Sequence, residues 1–419
     1  MSDTDLLSPS LEGETPHQEI SKTWWNRPDL SYDESGRLKL GACDLDALAR
    51  RFGTPTYVIR APRVVEKLKQ IHAALDAAGV THRIYYAIKA NRTVQLLTYL
   101  AGQGLCGADV CSPEEMRHAI SCGFPEDQIS FTGTSLSATD IEQISRFSDL
   151  SFNPDSLNAL KKIGKLKPGS EVGIRINPDI GIGYAGNDML QYSGNAPTKF
   201  GIYLDRIAEA KEIAKTYGLK IVRIHFHAGC GYLDRELSQL SRVLDVSRKF
   251  LDQLPDVREV NIGGGLGVPH NANDKSLDLD KWASVIANAF EGRNLTIAIE
   301  PGDFLVKDSG ILLTSVTYQE TRKSVEYLGL DAGFNLAMEP AFYSLPCEPV
   351  CAVMKPGDWT NYTLVGNVNE ALDKWAENHP MSPVDEGDIV ALLNAGGYAS
   401  SMRSSHCMRG DVREVLLLE

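Results

Sequence analysis

The sequence predicts an α/β protein, a parallel (β/α)8 TIM barrel followed by a C-terminal mainly β domain (barrel or sandwich). Three observations carry this expectation. Short apolar segments rich in Val, Ile, Tyr and Phe alternate with amphipathic helical segments over 44–305, and such alternation builds a parallel sheet with crossover helices. The units number about eight, which favours a closed barrel over an open doubly wound sheet. Over 306–419 the pattern changes to strand-like runs with few helices between them, as in a separate β domain.

The elements follow in order. Met1 to Glu19 is polar and acidic and lacks the basic start and apolar core of a secretion signal, so 1–25 reads as a disordered tail. Segment 26–43 is expected to lend a strand to the β domain. Asp44 caps a helix that runs to Phe52 and stops at Gly53. Thr56 to Ile59 is a strand and Arg63 to Ala78 an amphipathic helix. Ile84 to Ile88 is a buried strand ending in Lys89-Ala90-Asn91, followed by a helix from Thr93. Strands then fall at Ala108–Val110, Ile129–Thr132, Leu150–Phe152, Val172–Ile176, Ile221–His227, Glu259–Ile262 and Leu295–Ile299, with helical segments between them. In the last part, Leu312–Gln319, Ser324–Leu330, Val350–Met354, Tyr362–Val365 and Ile389–Leu393 read as β.

Composition narrows the function classes. Across 419 residues the net charge is −13 and no basic stripe stands out, which argues against nucleic acid or an anionic membrane as partner. No apolar run approaches the length of a membrane span. The eight cysteines are scattered without a repeated spacing, the pattern of a reduced, cytoplasmic protein. No metal site is expected.

The chemistry gathers at predicted strand ends. Lys89, Asp109, His227, the Gly263 stretch and Glu300 all fall there, and the C-terminal rim of a barrel is where such folds place reactive groups. A lysine at the end of an apolar strand must be neutral, paired or covalently used, and a desolvated lysine can form a Schiff base with an aldehyde cofactor. Its bland alternative is a lysine snorkelling to solvent. Gly263-Gly264-Gly265 after a strand is either a phosphate cradle or a flexible loop. His225-Phe226-His227 puts two histidines on one face, suited to a metal pair, to stacking on a flat cofactor, or to ordinary core hydrogen bonding. Glu300 caps a helix, or faces a ring nitrogen and keeps it protonated, as pyridoxal phosphate requires.

Together these motifs resemble the fold-type III pyridoxal-phosphate decarboxylases, the alanine-racemase-like fold that includes diaminopimelate and ornithine decarboxylases. The resemblance runs from about Gly41 to Glu419. It implies that Lys89 in Tyr-Ala-Ile-Lys-Ala-Asn carries the cofactor and that His227 stacks on its ring. It also implies that Gly263, Gly264, Gly265 and Tyr398 bind its phosphate, that Glu300 pairs with its ring nitrogen, and that Asp109 and Arg175 lie nearby. A head-to-tail homodimer with shared active sites is implied as well.

The substrate end departs from the family pattern. Asn369 stands where the family has a proton-donating cysteine, while Glu370 and Asp373 match. Lys89, Cys347, Cys407 or water then become candidates to protonate Cα. Asp303 and Glu339 stand where two arginines help hold the distal carboxylate of diaminopimelate, and Tyr343 is retained. Exchanging arginine for acid removes a bidentate clamp and installs repulsion. The departures resemble a branch acting on conjugated amino acids, so the expected substrate is a citryl–diamino acid of siderophore biosynthesis. Carrier-bound glutamate and meso-diaminopimelate are the alternatives.

Overall fold

The computed structural model describes residues 23–194 and 196–419. The expected tail lies almost wholly outside the described residues. Its last member, Trp25, is instead buried and packs against Leu30, Leu38 and Leu40.

The chain begins with a small antiparallel meander, β1 (Leu30–Tyr32), β2 (Leu38–Leu40) and β3 (Cys43–Asp44). The strand expected from 26–43 is thus this meander, and it meets the β domain through an Arg37–Val353 bridge and the Leu38 N–H to Ala352. The Asp44 carboxylate accepts from the Ala47 N–H and starts the helix Leu45–Phe52. Strand β4 (Thr56–Arg60) follows.

β4 corrects one expectation. The sequence places it inside 44–305 with the barrel, but it pairs with strands of the second sheet. An isolated Thr-Tyr-Val-Ile run carries no information about which sheet it joins, because pleat and burial are alike in both.

The barrel strands are β5 (His82–Ala87), β6 (Gly107–Val110), β7 (Ile129–Phe131), β8 (Ser151–Phe152), β9 (Glu171–Arg175), β10 (Lys220–His225), β11 (Glu259–Asn261) and β12 (Thr296–Ile299). All seven ladders are parallel, in the order β8-β7-β6-β5-β12-β11-β10-β9. The ring closes through β5 and β12. At the remaining seam, β8 to β9, the Arg175 N–H donates to the Pro154 carbonyl at 2.8 Å.

Helices return on the outside. Ser112, Ser137, Ser156 and Asp278 each cap one by accepting an N–H three residues on. The helix faces and barrel wall share one apolar core. Trp282, on the helix Leu279–Ala289, is 0% exposed, and its indole N–H donates to the Tyr232 hydroxyl at 3.2 Å. Trp282→Ala should therefore cost about 3–5 kcal/mol, read as a lower midpoint in chemical denaturation. A loss below about 1 kcal/mol, ordinary for a surface substitution, would contradict this packing.

The second domain is one sheet with a bent spine. Its strands are β13 (Gly310–Arg322), β14 (Val325–Leu330), β15 (Pro349–Cys351), β16 (Thr360–Val365), β17 (Lys374–Met381), β18 (Ile389–Leu392) and β19 (Arg413–Leu417). The first half of β13 pairs with β4 and β18 and the second half with β14, with a register shift between Val316 and Tyr318. β17 and β19 carry no clear alternation and go unpredicted from sequence.

The segment after β18 returns to the barrel. The Tyr398 N–H donates to the Ala90 carbonyl at 2.8 Å, and Asn91 Nδ2 donates to the Gly396 carbonyl at 3.0 Å. Tyr398 holds φ +53° to make this approach. The β domain is thereby locked to the turn carrying Lys89.

Candidate active site

The barrel rim collects the predicted groups. Lys89 lies on the turn just beyond β5, and Asp109 lies within β6. Arg175 ends β9, His227 lies two residues past β10, and Glu300 directly follows β12. All line one cavity, together with Gly264, Gly265, Asp303 and Tyr398.

Glu300 is the most constrained of them. It is 7% exposed. One carboxylate oxygen accepts from Ser130 Oγ at 2.9 Å and Asn261 Nδ2 at 2.6 Å, and the other faces His225 Nε2 at 2.9 Å. Burial pushes its pKa up, but His225 and these hydrogen bonds outweigh that and hold it well below the usual carboxylate range. An ionised carboxylate has about four acceptor sites, so one remains for a donor in the cavity.

His225 is therefore the partner of Glu300, a role the sequence left among three readings. No group of three or more metal-ligating side chains occurs among the described residues. Ser130 and Asn261 were missed altogether, because strand-borne serine and asparagine give no signal until their strands close around Glu300.

Lys89 departs from the expected buried lysine. Its side chain is accessible to the cavity, although the cavity itself lies deep among protein atoms. Burial pulls its ammonium pKa down, but Asp109, Cys111, Cys230 and Glu300 outweigh this and the net shift is upward. Asp109 also moves up: burial, then the charge of Glu300, holds its carboxyl well above the usual range, which favours its neutral form. The carboxylate facing Lys89 most firmly in its charged form is thus Glu300.

His227 supplies a flat neutral surface. Burial and the charges of Lys89 and Arg175 push its imidazole pKa well below the ordinary value. Its Nδ1 is buried without a hydrogen-bond partner, and its Nε2 lies 3.5 Å from the Cys230 sulfur. The Tyr192 ring sits beside it, centroids 5.0 Å apart. The Arg175 guanidinium stacks over Phe200 at 4.4 Å.

The glycine run separates into two roles. The Gly263 N–H donates to Asn261 Oδ1, and Gly263 does not line the cavity, contrary to its expected place in the phosphate cradle. The N–H groups of Gly264 and Gly265 make no hydrogen bond among the described residues. A Cβ on Gly264 would lie 2.3 Å from the Glu300 carbonyl oxygen, and one on Gly265 2.3 Å from that of Gly229. Close approach of neighbouring strand ends thus demands glycine here. Gly264→Ala should displace the loop and weaken cofactor retention about tenfold or more, seen as a lower cofactor-to-protein ratio after gel filtration.

At the substrate end, Asp303 and Glu339 do meet, but not in repulsion. Lys307 lies between them, its Nζ 3.1 Å from Asp303 and 2.8 Å from Glu339. The repulsion expected here is toward a substrate carboxylate, and Lys307, one helical turn after Asp303 and overlooked in the sequence reading, offsets part of it. Tyr343 lines the same adjoining cavity.

Asn369, Glu370 and Asp373 are not brought to this chain's cavity. Asn369 and Glu370 are exposed, and Glu370 pairs with His406 at 3.2 Å. Asp373 is a structural cap whose carboxylate accepts the Phe334 and Val368 N–H groups, each at 2.7 Å. Of the expected proton donors only Lys89 lines the cavity. Cys347 does not, and Cys407 is exposed. An unexpected thiol, Cys230, does line it, and burial pushes that thiol up to about 11.

Residues 62–307 match the family described as "Pyridoxal-dependent decarboxylase, pyridoxal binding domain". The chain belongs to this family. Over 407 residues it is 31% identical to the diaminopimelate decarboxylase of Methanothermobacter thermautotrophicus, covering 94% of this chain and 93% of that one. The solved diaminopimelate decarboxylase of M. jannaschii in complex with L-lysine superposes with TM-score 0.84 at 25% identity, covering 94% and 93% of the two chains. That of Helicobacter pylori with L-lysine gives TM-score 0.79 at 30% identity, covering 89% and 94%. These relatives do not support the expected siderophore or carrier-bound glutamate branch.

The protein is thus a carboxy-lyase whose cofactor is pyridoxal phosphate. The residues present fit that group. An amine stands at Lys89, a neutral ring at His227, a fixed anion with one open acceptor site at Glu300, and two unpaired N–H groups at Gly264 and Gly265. No helix of the described residues is long and apolar enough to cross a membrane.

Proposed function

We propose that this pyridoxal-phosphate decarboxylase removes the α-carboxylate of a linear α-amino acid of the diaminopimelate type. The observation that carries the reading is Glu300, buried, ionised and held by Ser130, Asn261 and His225 across the cavity from Lys89. When bound, the cofactor supplies an electron sink for the pair left on Cα as CO2 departs.

The chain's own residues do the rest. Lys89 would hold the cofactor through its side-chain amine. Glu300 would hold a proton on the ring nitrogen, which a neutral partner would do poorly. His227 would lie against the ring, with Arg175 and Asp109 near it. The Gly264 and Gly265 N–H groups, with the Tyr398 hydroxyl, hold the phosphate. The free Lys89 amine would be placed to return a proton to Cα. Asn369 and Glu370 would reach a site only in a second copy of the chain.

The relatives favour diaminopimelate over a citryl conjugate as the substrate type. The test is CO2 release by the purified holoenzyme from meso-diaminopimelate, lysine, ornithine and citryl conjugates of diamino acids. Release from a linear amino acid is the expected result. Release from citryl conjugates alone would overturn the substrate class, and inversion of configuration without CO2 would make the protein a racemase.

A further inference from the structure

We propose that Asp303, Lys307 and Glu339 form the specificity site for the far end of the substrate, and that this site accepts an ammonium group in preference to a carboxylate. The inference rests on the decarboxylase reading above and narrows its linear amino acids to those whose far end carries an amine without a carboxylate.

The three side chains line a cavity that shares Cys230, Asp303 and Tyr398 with the cavity of Lys89. A substrate held at Lys89 therefore extends toward them. Lys307 is 1% exposed and Asp303 8%, so neither charge is screened by bulk water. Asp303 Oδ1 is buried with no hydrogen-bond partner, although Lys307 Nζ stands 3.1 Å away.

Charge balance decides the preference. Two carboxylates face one ammonium, which leaves one negative charge in surplus when both are ionised. No other described residue lining the cavity cancels it. Burial and the charge of Lys307 push the His270 imidazole down to about 3, so it is neutral. Burial raises the Cys230 thiol and the Tyr398 hydroxyl, which stay protonated. Tyr184, Tyr192 and Tyr343 contribute rings, surfaces that favour a cation. Burial, helped by the charge of Asp303 and opposed by Lys307, raises Glu339 to about 7, so the surplus is complete above that pH and fades below it. A distal ammonium brings the cluster to neutrality. A distal carboxylate doubles the surplus, unlike the arginine pair these positions replace.

The test reads binding without requiring turnover. The holoenzyme is titrated with 1,5-diaminopentane, pentylamine and 5-aminopentanoate, following cofactor absorbance. These share a reacting amine and differ only at the far end. The expected order of affinity is diamine, then pentylamine, then amino acid, with the diamine on the order of tenfold tighter than pentylamine. Glu339→Gln and, separately, Asp303→Asn should narrow that ratio. Lowering the pH through about 7 should narrow it too, as Glu339 takes up a proton. Equal or tighter binding of 5-aminopentanoate, or an unchanged ratio in both variants, overturns the proposal. A diamine preference in a protein that releases no CO2 would leave this site standing and sink only the decarboxylase substrate reading. CO2 release without the preference would do the reverse.

Discussion

Lys89→Ala should abolish decarboxylation, with a loss on the order of a thousandfold or more. The substitution removes the cofactor's covalent hold and the amine best placed to return the proton. Both effects follow from position, because Lys89 reaches the open cavity while Asp109, Cys230 and Glu300 surround it. The change should leave the fold intact, since Lys89 stands on a turn and packs into no core. The decisive measurement pairs CO2 release with cofactor absorbance. Reduction with borohydride should link cofactor to the wild-type protein and not to the variant. Wild-type activity and covalent labelling in the variant would remove Lys89 from the mechanism.

Glu300→Gln should lower kcat by about a hundred- to a thousandfold. Glutamine keeps nearly the same shape and can still accept from Ser130 and Asn261. It carries no charge, however, and so cannot hold a proton on the cofactor's ring nitrogen. The fixed anion exists because three donors offset the burial that otherwise pushes its proton on. The loss should fall mainly in kcat, because the ring nitrogen lies away from the substrate's own binding groups. A rise in KM with kcat unchanged would show that Glu300 only shapes the pocket. His225→Asn is a useful companion: it removes the imidazole facing Glu300 Oε2 without touching the cavity's charge directly.

Much of the barrel was legible because each unit declares itself locally. Asp44 caps the first described helix as its sequence position suggests, and that helix ends at Phe52 before Gly53 as expected. Period and capping are properties of a few adjacent residues. The β domain was less legible. β17 (Lys374–Met381) lies in mixed polar sequence, β19 (Arg413–Leu417) is a short run without alternation, and β4 reads alike whether it enters the barrel or the second sheet.

The candidate site divides the same way. Lys89, Asp109, His227 and Glu300 were identifiable because a barrel sends every strand end to one rim, so strand-end position alone places them together. Which groups touch across that rim was not identifiable. Glu300 bonds to residues 170, 75 and 39 positions away in the chain. No local pattern encodes such a meeting; barrel closure and register do.

Lys307 shows the difference most clearly. By sequence, Asp303 and Glu339 read as two acids that repel a carboxylate at the far end of the substrate. In the folded chain a buried ammonium sits between them. The sequence by itself determined the fold class and the rim residues, through periodicity and strand-end position, and pointed to the cofactor through the family resemblance of its motifs. Only the tertiary structure decided the charge of the substrate end, because a buried ion pair depends on distances between segments that meet only when the barrel closes.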